Sequence, residues 1–153
     1  MTTYTDFVKG GANGFAESKR TPKYVEAVID FADQNAVTTD RFDVFNFPVG
    51  TLVLQCSSEV ITAVTGTGTI TTPTYDITDG TKVWVNDEEL DVVGHAALLA
   101  SQTTAPETLA TAAQTIRAVV TITDGGTITA GKLRVWALIV DVNEKAPATT
   151  AVL

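Results

Sequence analysis

The run Gly126-Thr127-Ile128-Thr129-Ala130-Gly131-Lys132 matches the G-x-x-x-x-G-K opening of a phosphate-binding loop, where backbone N–H groups cradle phosphate and the lysine reaches its outer oxygens. The next residue is Leu133, which has no hydroxyl for magnesium. The chain then continues as LRVWALIV, strand-forming residues where a phosphate site needs a helix N-terminus. Gly66-Thr67-Gly68 lacks the third glycine and the helix of a dinucleotide fingerprint and reads as a strand edge. Asp76 to Glu89, DITDGTKVWVNDEE, has the acid content of a calcium loop without its spacing. With Gly80 at the sixth position, Tyr75 falls on the first ligand and Asn86 stands where a bidentate glutamate is required. A weak surface cation site is the most these carboxylates offer, and Asp87-Glu88-Glu89 with Asp91 reads as a solvated acidic loop.

Other reactive side chains are few. His95 is the single histidine, and an imidazole beside Gly94 and Ala96 reads as structural or exposed rather than as a base or ligand. Cys56 is the single cysteine, so no intrachain disulfide forms. It follows Leu52-Val53-Leu54-Gln55, which puts it on a face with Leu52 and Leu54 and predicts a buried, unreactive thiol. Trp84 and Trp136 lie in strand patterns, where core packing is the expectation. No constellation calls for an enzyme, a metal or a cofactor.

Charge narrows the partners. Residues 1–23 hold Lys9, Lys19, Arg20 and Lys23 against Asp6 and Glu17, a net +2, which leaves −10 of the formal −8 on the rest of the chain. Affinity for a phosphate backbone comes largely from Lys and Arg displacing counterions, so an acidic body argues against nucleic acid. The sequence shows neither a charged-then-apolar leader nor a run of 18 apolar residues, which predicts no ordinary export signal and no membrane-spanning helix.

The elements behind these residues are strands. Asp43 to Phe47 alternates apolar and polar with a period of two, a half-buried strand. Pro48-Val49-Gly50 breaks it, since proline gives no N–H and glycine accepts a positive φ, and Leu52 to Leu54 starts a buried strand. Val25, Ala27, Ile29 and Phe31 share one face of an earlier strand, opposite Tyr24, Glu26, Val28 and Asp30. Ala32 to Asp40 supplies turn chemistry, and Thr65 to Thr72 is an extended, glycine-permitted edge. Asp79-Gly80 turns into Lys82 to Val85. Ala96 to Ala100 and Glu107 to Ala113 read as short helices, with Pro106 at a helix start. Ile116, Ala118, Val120 and Ile122 alternate along a further strand. Lys132 to Val142 is apolar on both faces, which makes it a central strand, the partner for Leu52 to Leu54, and puts Trp136 in the core. Roughly eight strands at close intervals predict an all-β fold, an antiparallel β-sandwich or jelly-roll-like barrel with at most short helices. The division expected is an N-terminal arm over 1–23, flexible and glycine-rich at its centre, a β-sandwich domain over 24–144 and a C-terminal tail over 145–153.

FDVFNFPVGTLVLQCSSEVITAV (42–64), YDITDGTKVWV (75–85) and TITAGKLRVWALIVDV (127–142) together resemble small virion structural proteins of tailed bacteriophages, particularly those of marine or freshwater hosts. The resemblance covers residues 24–31, 42–85 and 115–142 and departs at Thr71 to Thr74. It implies a capsid decoration or cement protein on the virion exterior, bound to the major capsid protein and to itself, as a homotrimer in preference to a homodimer. No catalytic residues are carried over, and neither nucleic acid nor membrane is an expected partner. For attachment, the arm offers Phe7, Val8, Phe15, Lys19, Arg20 and Lys23. The competing reading is a carbohydrate- or receptor-binding sandwich on a phage fibre, with Trp84, Tyr75 and the acidic loop as an exposed sugar platform. The exposure of Trp84 separates the two.

Overall fold

The computed structural model describes residues 22–95, 108–109 and 112–142. The strands run β1 (Lys23–Asp30), β2 (Arg41–Phe47), β3 (Thr51–Thr67), β4 (Thr74–Thr78), β5 (Val83–Glu89), β6 (Gly94–His95), β7 (Thr108–Leu109), β8 (Gln114–Thr121) and β9 (Thr127–Asp141). A single 3₁₀ turn at Phe31–Asp33 is the helical element among the described residues. Sheet A has the order β1-β9-β3-β6, with β7 also pairing β3, and sheet B the order β2-β8-β4-β5. Every named pairing is antiparallel. The fold is thus the expected β-sandwich, two sheets and no closed barrel. The Thr108–Leu109 strand replaces part of the helix read over Glu107 to Ala113. The Ala96 to Ala100 reading, the arm over 1–21 and the tail lie outside the described residues.

β9 is central, between β1 and β3. Leu52 faces Val140 and Val53 faces Ile139, the partnership that two-faced apolarity implied. Alternation then decides the layers: Leu133, Val135 and Ala137 are buried, while Lys132, Arg134, Trp136 and Leu138 turn away from sheet B. From sheet B, Ile116, Ala118 and Val120 of β8, Tyr75 and Ile77 of β4, and Trp84 and Val85 of β5 close the core. Phe31 seals one end, its ring edge-on to Phe42 at 5.6 Å.

A register shift between Val53 and Gln55 corrects one detail. The extra residue, Leu54, is a bulge, so Cys56 sits opposite Ala137 on the buried face and shares it with Val53 and Val60 rather than with Leu52. The thiol is fully buried, as expected. Trp136 is corrected too. It is half-buried on the outer face of sheet A and not in the core.

The turns follow their residues. Gly50 has φ 85° and accepts from the N–H of Val142 at 2.9 Å. Gly80 has φ 91° in a turn organised by Asp79, whose Oδ1 accepts from the N–H groups of Thr81 (2.7 Å) and Lys82 (2.6 Å) while its Oδ2 accepts from the Gln114 side chain. Where β3 and β9 cross most closely, a side chain has no room. A Cβ on Gly66 would lie 1.9 Å from the carbonyl oxygen of Thr127, and one on Gly131 2.7 Å from Val64 Cγ1.

Candidate interaction surface

The residues first considered for chemistry are occupied by the fold. The loop-like run at Gly126 to Lys132 enters β9, and Lys132 Nζ lies 2.8 Å from Asp30 Oδ2. That bond holds the Asp30 carboxyl below its usual range and raises the Lys132 ammonium. In the acidic loop, Asp79 holds its turn and Asp76 Oδ1 accepts from the N–H of Asp87 at 2.8 Å, fixing a residue with φ 52°. Among the described residues no three His, Cys, Asp or Glu side chains are grouped to hold a metal. No described helix is long and apolar enough to cross a membrane. His95 is exposed at the sheet edge, its Nε2 3.5 Å from Glu59 Oε1.

The proposed sugar platform is corrected by the core. Trp84 is 2% exposed and Tyr75 1% exposed. The Tyr75 hydroxyl is spent on a 2.8 Å hydrogen bond to Ser58 Oγ. Aromatic rings that bind sugars must present a face to solvent, and these present none.

What sheet A does present is its outer face. Period-two alternation in β1 and β9, with antiparallel register, brings Tyr24 opposite Leu138, Glu26 opposite Trp136 and Val28 opposite Arg134. The rings of Tyr24 and Trp136 stack with centroids 5.9 Å apart. Beside them runs a row of ionisable side chains across four strands. Arg134 Nη1 donates to Glu59 Oε2 at 2.9 Å, its Nε lies 4.0 Å from Glu26 Oε2, and Glu59 reaches His95. The Tyr24 hydroxyl also donates to Glu26 Oε2, at 3.0 Å. Arg134 Nε is buried without a hydrogen-bond partner, so the Glu26 contact is electrostatic only. Tyr24 and Val28 are more than half and half exposed, respectively. An aromatic pair flanked by paired charges suits contact with another protein surface. It holds no nucleophile–base pair.

Of the attachment residues read from sequence, Phe7, Val8, Phe15, Lys19 and Arg20 lie outside the described residues. Lys23 opens β1, exposed and opposite Ile139. The Tyr24–Trp136 face was missed. Its signal was present as the even-numbered residues of LRVWALIV, apolar on the side that carries Lys132 and Arg134.

No protein-family model and no curated protein matches this sequence. Among solved structures, a chain of the cyanophage Pam1 capsid asymmetric unit superposes with a TM-score of 0.58 at 20% identity, covering 78% of this chain and 84% of that one. The shared property is the fold. A chain of the acidic stable capsid structure of Helicobacter pylori bacteriophage KHP30 is 19% identical over 80% of this chain and 94% of its own, with a TM-score of 0.37.

Proposed function

We propose that this chain is a non-enzymatic structural protein of a phage virion, a decoration or cement protein that binds the major capsid protein on the exterior of the head and stabilises it as a homotrimer. The observation that carries this reading is the superposition of the sandwich on a chain of the Pam1 capsid over most of both lengths. Two features of the chain support it. Trp84 and Tyr75 are in the core, which removes the platform of the sugar-binding alternative. The exposed face of sheet A, with Tyr24, Trp136 and the Glu26–Arg134–Glu59 row, is of the mixed aromatic and charged kind found where proteins meet. Copy number tests the reading. Quantitative mass spectrometry of purified virions should find the chain in a ratio to the major capsid protein set by the lattice. Heads lacking the chain should take it up in sedimentation and gain heat resistance. Trace or tail-tip stoichiometry overturns the proposal.

A further inference from the structure

One tetrapeptide occurs twice in this chain. Ile77-Thr78-Asp79-Gly80 closes β4, and Ile122-Thr123-Asp124-Gly125 follows β8, the neighbour of β4 in sheet B. In both copies the isoleucine is buried and the glycine has a left-handed φ, 91° and 73°. An aspartate followed by glycine is open to a reaction with its own main chain, because glycine has no Cβ to hinder the approach. The glycine nitrogen attacks Cγ of the aspartate. A C–N bond forms, the nitrogen gives up its proton, and the carboxyl C–OH bond breaks to release water, leaving a five-membered succinimide. Water then opens the ring at either carbonyl. Opening at the α-carbonyl leaves isoaspartate, with the main chain running through Cβ and a free α-carboxylate. The sum of atoms is unchanged, and no oxidant or cofactor takes part.

The fold holds the two copies differently. At the first, the N–H of Gly80, the nitrogen that would attack, donates to Thr78 Oγ1 at 2.9 Å. The carboxylate is held on both oxygens: Asp79 Oδ1 accepts from the N–H groups of Thr81 and Lys82, and Oδ2 from the Gln114 side chain. These bonds lower the Asp79 carboxyl below its usual range, so less of it is in the protonated form from which water departs. At the second copy these restraints are missing. Asp124 is exposed, its carboxylate has no hydrogen-bond or ionic partner among the described residues, and no described side chain accepts from the N–H of Gly125. We propose that Asp124 is a site of spontaneous isomerisation in the native protein, a slow covalent modification from which the same four residues at Asp79 are guarded by their hydrogen bonds. The added main-chain carbon stays in the turn, because both flanks are pinned. The Ile122 N–H donates to Thr38 Oγ1 at 3.0 Å, and the Ile128 N–H to the Ala36 carbonyl at 2.8 Å. The modified turn then offers a free α-carboxylate on a folded body, the chemical class of group that isoaspartyl-directed methyl-transfer enzymes accept.

The inference stands apart from the proposed function, since it needs only the folded chain. The full-length protein is aged for weeks at neutral pH and physiological temperature, native and in concentrated urea, and the folded fraction of the native sample is recovered by size exclusion. Trypsin then frees residues 118–132 and 42–82 as separate peptides, which keeps Asn13-Gly14, outside the described residues, from entering the measurement. Electron-transfer fragmentation distinguishes isoaspartate from aspartate in each. Expected in the native sample is isoaspartate at 124 accumulating roughly tenfold or more faster than at 79, since attack at Asp79 must first break several hydrogen bonds. In urea the two sites should react at similar rates, because their local sequences are the same. Asp124→Glu, whose longer side chain closes a ring far more slowly, should abolish the product at 124 and leave Asp79 as it was. Equal rates at the two sites in the folded protein overturn the proposal, as does faster reaction at Asp79. A difference that persists undiminished in urea also overturns it, since the fold would then not be its cause. So does isoaspartate at 124 confined to unfolded or aggregated material, which would place the reaction after unfolding.

Discussion

The hydroxyls of Ser58 and Tyr75 meet at 2.8 Å between the two sheets, one carried by β3 and the other by β4. Both residues are buried, so each hydroxyl depends on the other. Removing one leaves an unpaired polar group in the core, whereas removing both leaves only a lost bond. Tyr75→Phe and Ser58→Ala should each cost about 1–3 kcal/mol. The double variant should cost less than the two together, with a coupling of about 0.5–3 kcal/mol read from denaturant unfolding. Strict additivity would mean that the sheets are not joined through this pair.

The two tryptophans should behave oppositely. Trp84 is in the core and Trp136 on the outer face. Trp84→Ala should lower stability by about 3–5 kcal/mol, and Trp136→Ala by about 1 kcal/mol, the centre of the ordinary range. Iodide should quench the fluorescence that remains in Trp84→Phe far better than that in Trp136→Phe. Equal quenching would contradict the assignment of faces.

Alkali should unfold the protein through two buried acids. Burial pushes the Cys56 thiol from 9.0 up to about 12, and pushes the Tyr75 phenol from 10.0 up to about 12 against a smaller opposing effect of Ser58. Both groups ionise more readily in the unfolded chain. Stability is therefore full below pH 9, falls as pH rises from there and levels near 12. Tyrosinate absorbance and unfolding should appear together, and Cys56→Ala should delay the onset. Rapid reaction of the native protein with a thiol reagent at neutral pH would show that Cys56 is not sealed.

Acid should act through Asp79. Partial burial tends to raise its carboxyl, but the N–H groups of Lys82 and Thr81 and the amide of Gln114 outweigh that and lower it below 3.8. A depressed carboxylate stabilises the fold above its unfolded pKa, and that contribution is lost as pH falls through the folded value. Asp79→Ala should cost about 1–3 kcal/mol near neutrality and flatten the acid limb of a melting profile between pH 5 and 2. An unchanged acid limb would remove Asp79 from the account.

Glycines should divide by cause. Gly66→Ala drives a Cβ into the Thr127 carbonyl and should cost about 3 kcal/mol or more. Gly80→Ala meets no atom within 4 Å but keeps a left-handed φ of 91°, and should cost about 1–2 kcal/mol. Thermal melts rank the two directly, and the reverse order would be inconsistent with the close crossing of β3 and β9.

The strands were legible where one face had to be apolar, as in Val25 to Phe31 and Ile116 to Ile122. The partnership of β3 and β9 was legible because both runs lack a polar face. The same property hid the orientation of β9. In LRVWALIV either set can point inward, and the structure buries the smaller Val135 and Ala137 and leaves Trp136 outside. The face of Cys56 was misread because the Leu54 bulge adds a residue that period two does not count. The two-residue strands β6 and β7 are too short for any periodicity. Trp84 was legible as core, and that settled the fate of the sugar platform. The outer aromatic face was not, since Tyr24 and Trp136 are far apart in sequence and meet only through the register of β1 with β9.

The central place of β9 has a consequence for the order in which the chain can assemble. β1 and β3 do not touch as sheet neighbours; each waits for a strand that spans Thr127 to Asp141. Contacts so distant along the chain close slowly, because the intervening loop must lose its freedom first. On the ribosome, sheet A therefore has no native form until residue 141 has cleared the exit tunnel. Until then β1 has no described partner strand and β3 has only the short β6 and β7, a period in which chaperone binding or aggregation competes with folding. Sheet A should therefore close only after β9 is made, and its yield should depend on how long β3 is kept from the β3 of another nascent chain.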